Sequence, residues 1–465
     1  MMTVRMFSIC HYVRNKKNLR NLVALLLLAG SGPAGSGAAS AQELKRSGFL
    51  GVAAVPLPDA AKAQFPADET GVMVKGLVDG GSAKEADIRP GDIVTRVNDY
   101  KVTDVEGFVR NAKSLRAGDA AAISLRRGGD SMIKRVQVKP RPYETASDAA
   151  VLYKAVSADD SLRRVIVTTP DQKGPYPAIL YITGVGCASQ ESLDLSSAES
   201  KLLYGLTRAG FVTMRVEKTG TGDSQGISCG APQADLQAEV RGYLAGLRAL
   251  KQYPFVDPEN VFLLGLSLGG VEAPLIAGQE PVKGLVVVNT VAKPFFEYLL
   301  DTMRRQALLR HTAYDELERM MRLKELCNHR LLIEKRTPEQ VLLDAPECRE
   351  HIDYPAPYTL MQQWASLNMA EEWKRINSPV LIIYGTSDYV ASNSDHPYLA
   401  DIIDSFHPGS ATLAPIEGMD HYLLTAASME ESIARTGRRE FNPVVTAKIT
   451  AWLKQQSAPA AAGAP

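Results

Sequence analysis

The feature that most constrains the fold is a set of short apolar runs in which hydrophobic and polar residues do not alternate. The runs are Ala178–Ile182, Val261–Leu264, Gly284–Val288 and Val380–Tyr384. Such runs are typical of strands buried on both faces of a parallel sheet. The segments between them carry helical spacing, as in 236–247, where leucine or valine recurs on one helix face. The pattern predicts an α/β fold with a doubly wound, mostly parallel sheet and right-handed crossovers.

The order of segments along the 465 residues predicts two folded domains. Residues 46–141 are β-rich with several glycine turns, and residues 148–456 carry the alternating strands and helices. A proline-containing stretch, 140–145, is the predicted linker between them. Residues 293–374 are rich in helix formers and predict a helical cap inserted into the second domain. The small residues of 457–465 predict a disordered tail.

Residues 1–41 have the three-part layout of a secretory signal peptide. A basic stretch over 14–20 precedes the short apolar run 22–28, and small residues lead to Ala39-Ser40-Ala41. The alternative is an uncleaved N-terminal anchor, but the apolar run is short for a membrane span. We expect cleavage after Ala41 and export, most simply to a periplasm, with no stable membrane anchor afterwards.

Charge and cysteine content limit the partners and cofactors. The formal net charge is +0 and the pI about 7.1, which does not favour nucleic acid or an anionic membrane surface as a partner. Removal of Cys10 with the leader leaves four cysteines, an even number that suits a disulfide-forming compartment. Their spacing is not a zinc pattern, so we expect no metal. The four are Cys187, Cys229, Cys327 and Cys348.

A candidate nucleophile lies in the stretch Gly265-Leu266-Ser267-Leu268-Gly269-Gly270. It directly follows the apolar run 261–264 and precedes the helix-compatible run 271–277. In a strand–turn–helix context, G-x-S-x-G places the serine on a sharp, strained turn and the glycines leave room for the crowded backbone. The pattern predicts Ser267 as a nucleophile, the alternative being a glycine-rich turn without chemistry.

A nucleophilic serine needs a base, and the base needs an acid that fixes its tautomer. In chain order the acid should come next and the histidine last. Asp388 follows the last apolar run, although it could simply cap a turn, and His421 follows an extended segment and a turn. His396 and His407 lie in or beside a helix, where we expect surface positions. Asp420 adjoins His421 and is a fallback acid only.

Two backbone N–H groups should form the oxyanion hole. One belongs to Leu268, directly after the serine, and the other to the loop Thr183-Gly184-Val185-Gly186-Cys187. Val185 is the first candidate in that loop and Gly186 the next. The loop departs from the His-Gly-Gly-Gly form of many lipases.

The first domain resembles a PDZ domain of the bacterial exported-protease type. Gly48-Phe49-Leu50-Gly51-Val52 is similar to the carboxylate-binding loop and its following strand, 80–86 to a short helix entry, and 89–94 to the signature turn and strand. The resemblance implies that a peptide or protein C-terminus adds as a strand beside Phe49, Leu50, Gly51 and Val52. The alternative is a packing module that steers or covers the second domain.

The second domain, from about 150 to 456, resembles the α/β-hydrolase superfamily, in the group of serine aminopeptidase-like, acyl-peptidase-like and dienelactone-hydrolase-like enzymes. The stretch 215–224 is similar to the family's glycine-rich loop and is not a P-loop, because Lys218 precedes its glycines. The resemblance implies a triad of Ser267, Asp388 and His421 and no cofactor. The family's sheet order also implies a Cys187–Cys229 disulfide, while Cys327 and Cys348 could pair inside the insertion.

We therefore predict an exported serine hydrolase that cleaves carboxylic esters through an acyl-enzyme. The first alternative is a peptidase or aminopeptidase acting on short peptides. Glu316, Glu318 and Glu325 of the cap either hold its substrate amine or form a solvated helix face. The second is a catalytically idle scaffold that binds peptides. Aromatic residues expected in the cap, as core or as pocket lining, are Phe295, Phe296, Tyr298, Tyr358 and Trp364.

Overall fold

The computed structural model describes residues 44–58, 62, 70–191, 195–437 and 439–458. The predicted leader lies outside the described residues. So does most of the predicted tail, whose first residue, Ser457, ends the last helix. Over the residues that are described, no helix is both long enough and apolar enough to span a bilayer.

The described part of the N-terminal domain contains an antiparallel sheet and short helices. Its elements are β1 (Gly48–Phe49), β2 (Val52–Pro56), β3 (Val72–Leu77), α1 (Ser82–Glu85), β4 (Ile93–Val97), β5 (Tyr100–Lys101), α2 (Val105–Ser114), β6 (Ala120–Arg127), β7 (Asp130–Gln137) and β8 (Lys139–Pro140). The sheet order is β2-β3-β4-β6-β7, with β5 on β4, while β1 pairs separately with β8. Val72 and Val74, two apart on β3, share one face and pack with Phe108 of α2 in a closed core.

The second domain is built on an eight-stranded sheet. The strands are β9 (Ala150–Ala158), β10 (Ser161–Thr169), β11 (Tyr176–Ile182), β12 (Val212–Val216), β13 (Val256–Leu266), β14 (Gly284–Val288), β15 (Val380–Gly385) and β16 (Ala411–Ile416). Their order is β16-β15-β14-β13-β11-β12-β10-β9. The pairs from β12 to β16 are parallel, and only β10 with β9 and with β12 is antiparallel. The predicted α/β class with a mostly parallel sheet is confirmed.

Helices cover both faces of this sheet, and a further set forms the cap. They are α3 (Ala198–Arg208), α4 (Leu236–Leu250), α5 (Gly269–Ala277), α6 (Phe295–Leu309), α7 (Tyr314–Asn328), α8 (Pro338–Asp344), α9 (Tyr358–Ala365), α10 (Met369–Lys374), α11 (Asp395–Phe406), α12 (Met429–Ala434) and α13 (Val444–Ser457). A π-helical turn, His329–Ile333, and a 3₁₀ turn, Pro346–Cys348, complete the cap. The cap helices α6 to α10 lie between β14 and β15 in the chain, over the predicted insertion 293–374.

Alternate residues of the central strand β11 enter two separate cores. Leu180 and Ile182 pack with α4 and α5 on one face, whereas Ile179 and Tyr181 pack with α3 and α13 on the other. This two-faced burial explains why the strand reads as one apolar run. The carboxyl ends of the parallel strands meet at one edge of the sheet, which is where ligands bind in open α/β folds.

Buried ion pairs join the two domains. Arg46, just before β1, pairs with Asp223 at 2.9 Å and with Glu191, and these side chains are at most 8% exposed. In the predicted linker, the buried Glu144 pairs with Arg215 of β12 at 2.8 Å. The linker is therefore fixed to the second domain by the Glu144–Arg215 ion pair, which its proline-rich composition did not predict.

Two disulfides are present. Cys187 and Cys229 join the loop after β11 to the loop after β12, with their Cα atoms 5.8 Å apart. Cys327 and Cys348 join α7 to the 3₁₀ turn inside the cap. Both pairings agree with the predictions.

Candidate active site

Ser267 occupies the sharp turn between β13 and α5. Its φ is +54°, in the left-handed region that non-glycine residues rarely adopt. The strained backbone is held from β14, because the Ser267 N–H donates to Val288 O at 2.9 Å and the Thr290 hydroxyl donates to Ser267 O at 2.9 Å. The turn therefore projects the hydroxyl at the carboxyl edge of the sheet.

The flanking glycines are required by space. A Cβ at Gly265 would lie 2.5 Å from Gly269 O, one at Gly269 would lie 2.1 Å from Ile182 O, and one at Gly270 would lie 2.3 Å from the Thr290 hydroxyl. Side-chain carbons do not approach other atoms this closely. The glycines of the sequence pattern are therefore needed because the turn packs closely against the ends of β11 and β14.

Three side chains from three loops form a continuous hydrogen-bonded chain. His421 Nε2 lies 3.1 Å from Ser267 Oγ, and His421 Nδ1 lies 2.8 Å from Asp388 Oδ2. Asp388 is fully buried, and the His421 side chain is 11% exposed. The structure therefore brings together the three residues predicted from the sequence, in the order nucleophile, base and acid.

Backbone donors fix the acid. Asp388 Oδ1 accepts the N–H groups of Val390 at 2.7 Å and Ala391 at 2.9 Å, leaving Oδ2 for the histidine. Asp420, the fallback acid, instead accepts from Tyr422 N–H and from Arg439. Its carboxylate is a turn former, as expected for a residue adjacent to the histidine.

Burial and charge act on His421 in opposite directions. Burial of the imidazole lowers the pKa of His421, but the Asp388 carboxylate and its hydrogen bond more than offset this. The net pKa lies above the ordinary histidine value. The environment thus favours the imidazolium that would form after proton transfer from Ser267.

The residues predicted to supply the oxyanion donors lie next to Ser267 or to its neighbour Gly184. Leu268 is the N-cap residue of α5, and Val185 follows Gly184, where an added Cβ would lie 3.1 Å from Ser267 Cβ. Within the described residues, neither Leu268 N–H nor Val185 N–H has an acceptor in the protein. Gly186, the second candidate, has a φ of +119° and lines the cavity described next.

A cavity of about 310 Å³ adjoins the oxyanion loop, which we define as residues 183–187. The loop forms one wall through Gly186 and Cys187, and the cap forms the other, mainly through aromatic, proline and aliphatic residues. These cap residues are Tyr354, Pro355, Ala356, Pro357, Leu360 and Trp364. Lys218 and Glu239 supply charge to the cavity lining.

The cap aromatics divide into core and lining. Phe295 and Tyr298 are buried and pack on one another, with ring centroids 5.7 Å apart, and Trp364 packs on Phe295. Phe296 and Tyr358 are half-buried against the same core. Of the five predicted aromatics, only Trp364 lines this cavity.

The predicted surface position of His396 was wrong, and the possible amine-binding role of three cap glutamates finds no support in their positions. His396 is fully buried and stacks on Tyr384, with ring centroids 4.6 Å apart, because the first turn of α11 packs inward beside the Asp388 loop. Glu316, Glu318 and Glu325 are exposed on α7 and do not line the cavity. They form a solvated helix face.

The residues predicted to bind a peptide lie at one end of the N-terminal sheet. Phe49 belongs to β1, and Val52 opens β2, which pairs with β3 on one side and is the last strand of the sheet order. Leu50 is buried, and Gly51 has a φ of +70° because its loop packs against Gly81. The edge of β2 is thus available for a further strand within the described residues.

Sequence reasoning missed several buried polar residues around the site. Asn289 donates to the carbonyls of Asp420 and His421 at 3.1 Å and accepts Gly385 N–H at 2.9 Å, so it ties β14 to both loops. Its position directly after an apolar run was the available signal. Lys218, Glu239 and Glu272 form a buried charge cluster beside the oxyanion loop. No cluster of residues suited to a metal ion occurs among those described.

Comparison with known families agrees with this geometry. The family described as serine aminopeptidase, S33, matches residues 194–426, half of the chain, and the PDZ domain matches residues 48–139. Esterase EstD of Thermotoga maritima is 25% identical over 235 residues, which cover 49% of this chain. The chain spans about half (50%) of the length of that relative.

Solved structures with similar folds include esterases and a peptidase. Est1E from Butyrivibrio proteoclasticus with ferulic acid bound is 16% identical and covers 65% of this chain and 98% of its own, with a TM-score of 0.43. Proline iminopeptidase from Mycobacterium smegmatis is 17% identical and covers 66% and 98%, with a TM-score of 0.41. Since the family matches half of the chain, including Ser267, Asp388 and His421, the chain belongs to the serine aminopeptidase S33 family of α/β hydrolases and carries a PDZ domain ahead of it.

Proposed function

We propose that this protein is an exported serine hydrolase that cleaves carboxylic esters. The observation that carries the proposal is the unbroken chain of hydrogen bonds from Ser267 through His421 to Asp388. Such a chain activates a hydroxyl that is otherwise a weak nucleophile at neutral pH.

The proposed reaction has two steps. Ser267 Oγ attacks the ester carbonyl while His421 Nε2 takes its proton, and the collapse of the tetrahedral intermediate expels the alcohol, which receives that proton. Water then attacks the acyl-enzyme with His421 again as base, releasing the acid and restoring Ser267. The N–H groups of Leu268 and Val185 stabilise the oxyanion in both steps.

The cavity adjoins the oxyanion loop, although Ser267 and His421 are not among its lining residues, and it suits an apolar acyl or alcohol group of modest size. Its cap wall is largely aromatic and aliphatic, and its volume of about 310 Å³ is at the small end for ligand pockets. Glu239, the carboxylate in the lining, is already paired with Lys218 at 2.9 Å, which does not favour it as an amine site. The esterase EstD relative points the same way.

An aminopeptidase remains the second candidate because one observation favours it. Glu239 is an acidic residue that lines the cavity, and the Lys218 ion pair is the contact that its carboxylate makes among the described residues. A substrate α-amine that displaced Lys218 from Glu239 would find a partner there.

Hydrolysis assays separate the candidates. Wild-type protein and Ser267→Ala would be compared on p-nitrophenyl esters of short and long acyl chains and on aminoacyl p-nitroanilides. We expect kcat/KM for short-chain or aromatic esters to exceed that for the anilides at least 10²-fold, in rough proportion to their chemical reactivity and fit. Preference for the anilides would favour the aminopeptidase, and inactivity on all of them would favour an idle scaffold.

Export and peptide binding complete the proposal. Two disulfides support an oxidising compartment, as does the predicted cleavage after Ala41. We further propose that the edge of β2 takes a peptide C-terminus as an added strand. Binding of a free-carboxylate peptide library, with the same peptides amidated as the control, measures that function independently of hydrolysis.

A further inference from the structure

Lys218, two residues after the end of β12, is buried beside the oxyanion loop. Its side chain is 5% exposed, and Nζ lies 2.9 Å from Glu239 Oε2 on α4. The same ammonium donates to Gly184 O at 3.3 Å. A buried lysine is costly unless its charge is paired and its protons are used, so these two contacts account for its place in the core.

The carbonyl that Lys218 contacts belongs to a particular peptide unit. Gly184 O and Val185 N–H are the two ends of one trans peptide and point in opposite directions across its plane. Gly184 itself lies next to Ser267, since a Cβ added at this glycine would lie 3.1 Å from Ser267 Cβ. A donor on the carbonyl therefore sets the direction of the Val185 N–H and draws electron density away from it.

Two carboxyl groups hold the charge on Lys218. Burial lowers the pKa of Lys218, but Glu239 and Glu272 offset this, and the net pKa lies above the ordinary lysine value. Glu272 on α5 is fully buried, and desolvation and the neighbouring Glu239 raise its pKa to about 8. At neutral pH Glu272 is therefore protonated, beside the Lys218–Glu239 ion pair, and burial raises the pKa of the neighbouring Tyr243 well above its ordinary value.

We propose that Lys218 is a positioning residue for the oxyanion hole, acting through the Gly184–Val185 peptide. Its ammonium orients that peptide and strengthens the Val185 N–H as a donor to the oxyanion formed at Ser267. The inference rests on the proposed function, because it assigns a role within that reaction. A purely structural role for the Lys218–Glu239 pair would instead affect stability and leave transition-state binding unchanged.

The experiment compares three variants in the full-length mature protein. Lys218→Met removes the donor, and Lys218→Met combined with Glu239→Gln also removes the carboxylate that would be left unpaired. Lys324→Met is the matched control, since Lys324 likewise donates to a backbone carbonyl, that of His351 in the cap. Each is assayed for ester hydrolysis, for inhibition by a trifluoromethyl ketone that forms a tetrahedral adduct, and for thermal unfolding.

We expect both Lys218 variants to lower kcat by about 10- to 10²-fold, somewhat less than the ~10²–10³-fold loss of a whole oxyanion donor. KM should change by less than about 3-fold, and the inhibitor should weaken by the same factor as kcat. Lys324→Met should retain kcat within about 3-fold.

The outcomes separate this proposal from the function on which it rests. A folded double variant with wild-type kcat and inhibitor affinity would overturn the role of Lys218 while leaving the hydrolase intact. A fall in kcat without a parallel loss of inhibitor affinity would also overturn it. Wild-type protein that turns over no ester would overturn the proposed function itself, before any variant is compared.

Discussion

The two sides of Ser267 are built from different kinds of groups. On the proposed base side the groups are side chains: His421 Nε2 lies 3.1 Å from Ser267 Oγ, and His421 Nδ1 lies 2.8 Å from Asp388 Oδ2. On the oxyanion side, the groups that we propose are the backbone N–H donors of Leu268 and Val185. The side chains that hold those donors, such as Lys218, lie one layer further from the reacting atoms.

This difference decides how far each side depends on the rest of the molecule. The base side is fixed locally, by the loop after β15 and by Asn289. The oxyanion side is tied by Cys187–Cys229 to the glycine-rich loop that follows β12, and that loop is held in turn by Arg46 from the N-terminal domain. Variants on the two sides should therefore differ in kind: one set affects proton transfer, and the other affects stability and transition-state binding together.

Asp388→Asn should give the largest effect. An amide at this position fixes the wrong tautomer of His421, and we expect kcat to fall about 10⁴-fold with the fold intact. Asp420→Asn is the control, because Asp420 bonds Arg439 and backbone N–H groups rather than the imidazole. Steady-state ester hydrolysis measures both, and equal losses in the two variants would contradict the assignment of the acid.

Arg46→Met should give the next largest effect, on stability. It removes one arginine partner from each of two buried carboxylates, although Arg164 still pairs with Asp223 and Arg141 with Glu191. Breaking a buried pair costs about 3–5 kcal/mol, and the remaining partners place the expected loss at the lower end of that range. Lys45→Met is the matched control, since the Lys45 side chain is 60% exposed and its bridge to Asp119 should contribute little. Urea unfolding followed by tryptophan fluorescence compares them, and matching midpoints for the two variants would show that the domain junction is not held by Arg46.

The two disulfides should separate stability from activity. By loop closure, each contributes about 3–4 kcal/mol, for sequence separations of 42 and 21 residues. Cys187→Ser with Cys229→Ser should also lower kcat severalfold, because Cys187 belongs to the oxyanion loop. Cys327→Ser with Cys348→Ser should lower stability alone. Unchanged kcat in the first pair would mean that the loop is positioned without its disulfide.

Glu272→Gln should give the smallest effect, a change in the pH dependence of stability. The folded-state pKa of Glu272 is raised to about 8, so its contribution to folding stability is complete at pH values below the unfolded-state pKa. That contribution is lost as the pH rises from the unfolded-state pKa through the folded-state pKa of about 8. Wild-type stability should fall by about 1 kcal/mol more than that of Glu272→Gln between pH 7 and 9.

The control for that pH effect is Glu280→Gln. Lys251 and the other basic neighbour of Glu280, Arg248, hold its pKa below the ordinary value, so the substitution should not alter the slope between pH 7 and 9. Thermal unfolding across this range compares the two variants with wild type. A wild-type slope retained in Glu272→Gln would show that the buried acid is not Glu272.

The sequence predicted the α/β class and the residues on the base side because their chemistry lies in residue identity. Ser267, Asp388 and His421 each follow a strand signal, and chain order alone limits the histidines to three. The oxyanion side was less accessible, because any residue supplies an N–H. The apolar face of α4 predicted a helix that covers the sheet, but it did not predict a buried charge. Glu239 lies in the same turn as Val240 and is buried with it.

Long-range contacts account for what the sequence did not predict. Arg46 and Asp223 are 177 residues apart in the chain, and no local pattern relates them. His396 was expected at the surface because helix position, not packing, was the only guide. Its burial against Tyr384 depends on the direction in which α11 starts after the Asp388 loop.

The measurement that tests the central claim most directly is labelling of the mature protein with a fluorophosphonate, followed by mass spectrometry of the modified peptide. The account predicts one adduct, on Ser267, that is absent from Ser267→Ala and much slower to form in Asp388→Asn. Labelling at another residue, or no labelling of a folded wild-type protein, would contradict the claim that His421 and Asp388 activate Ser267.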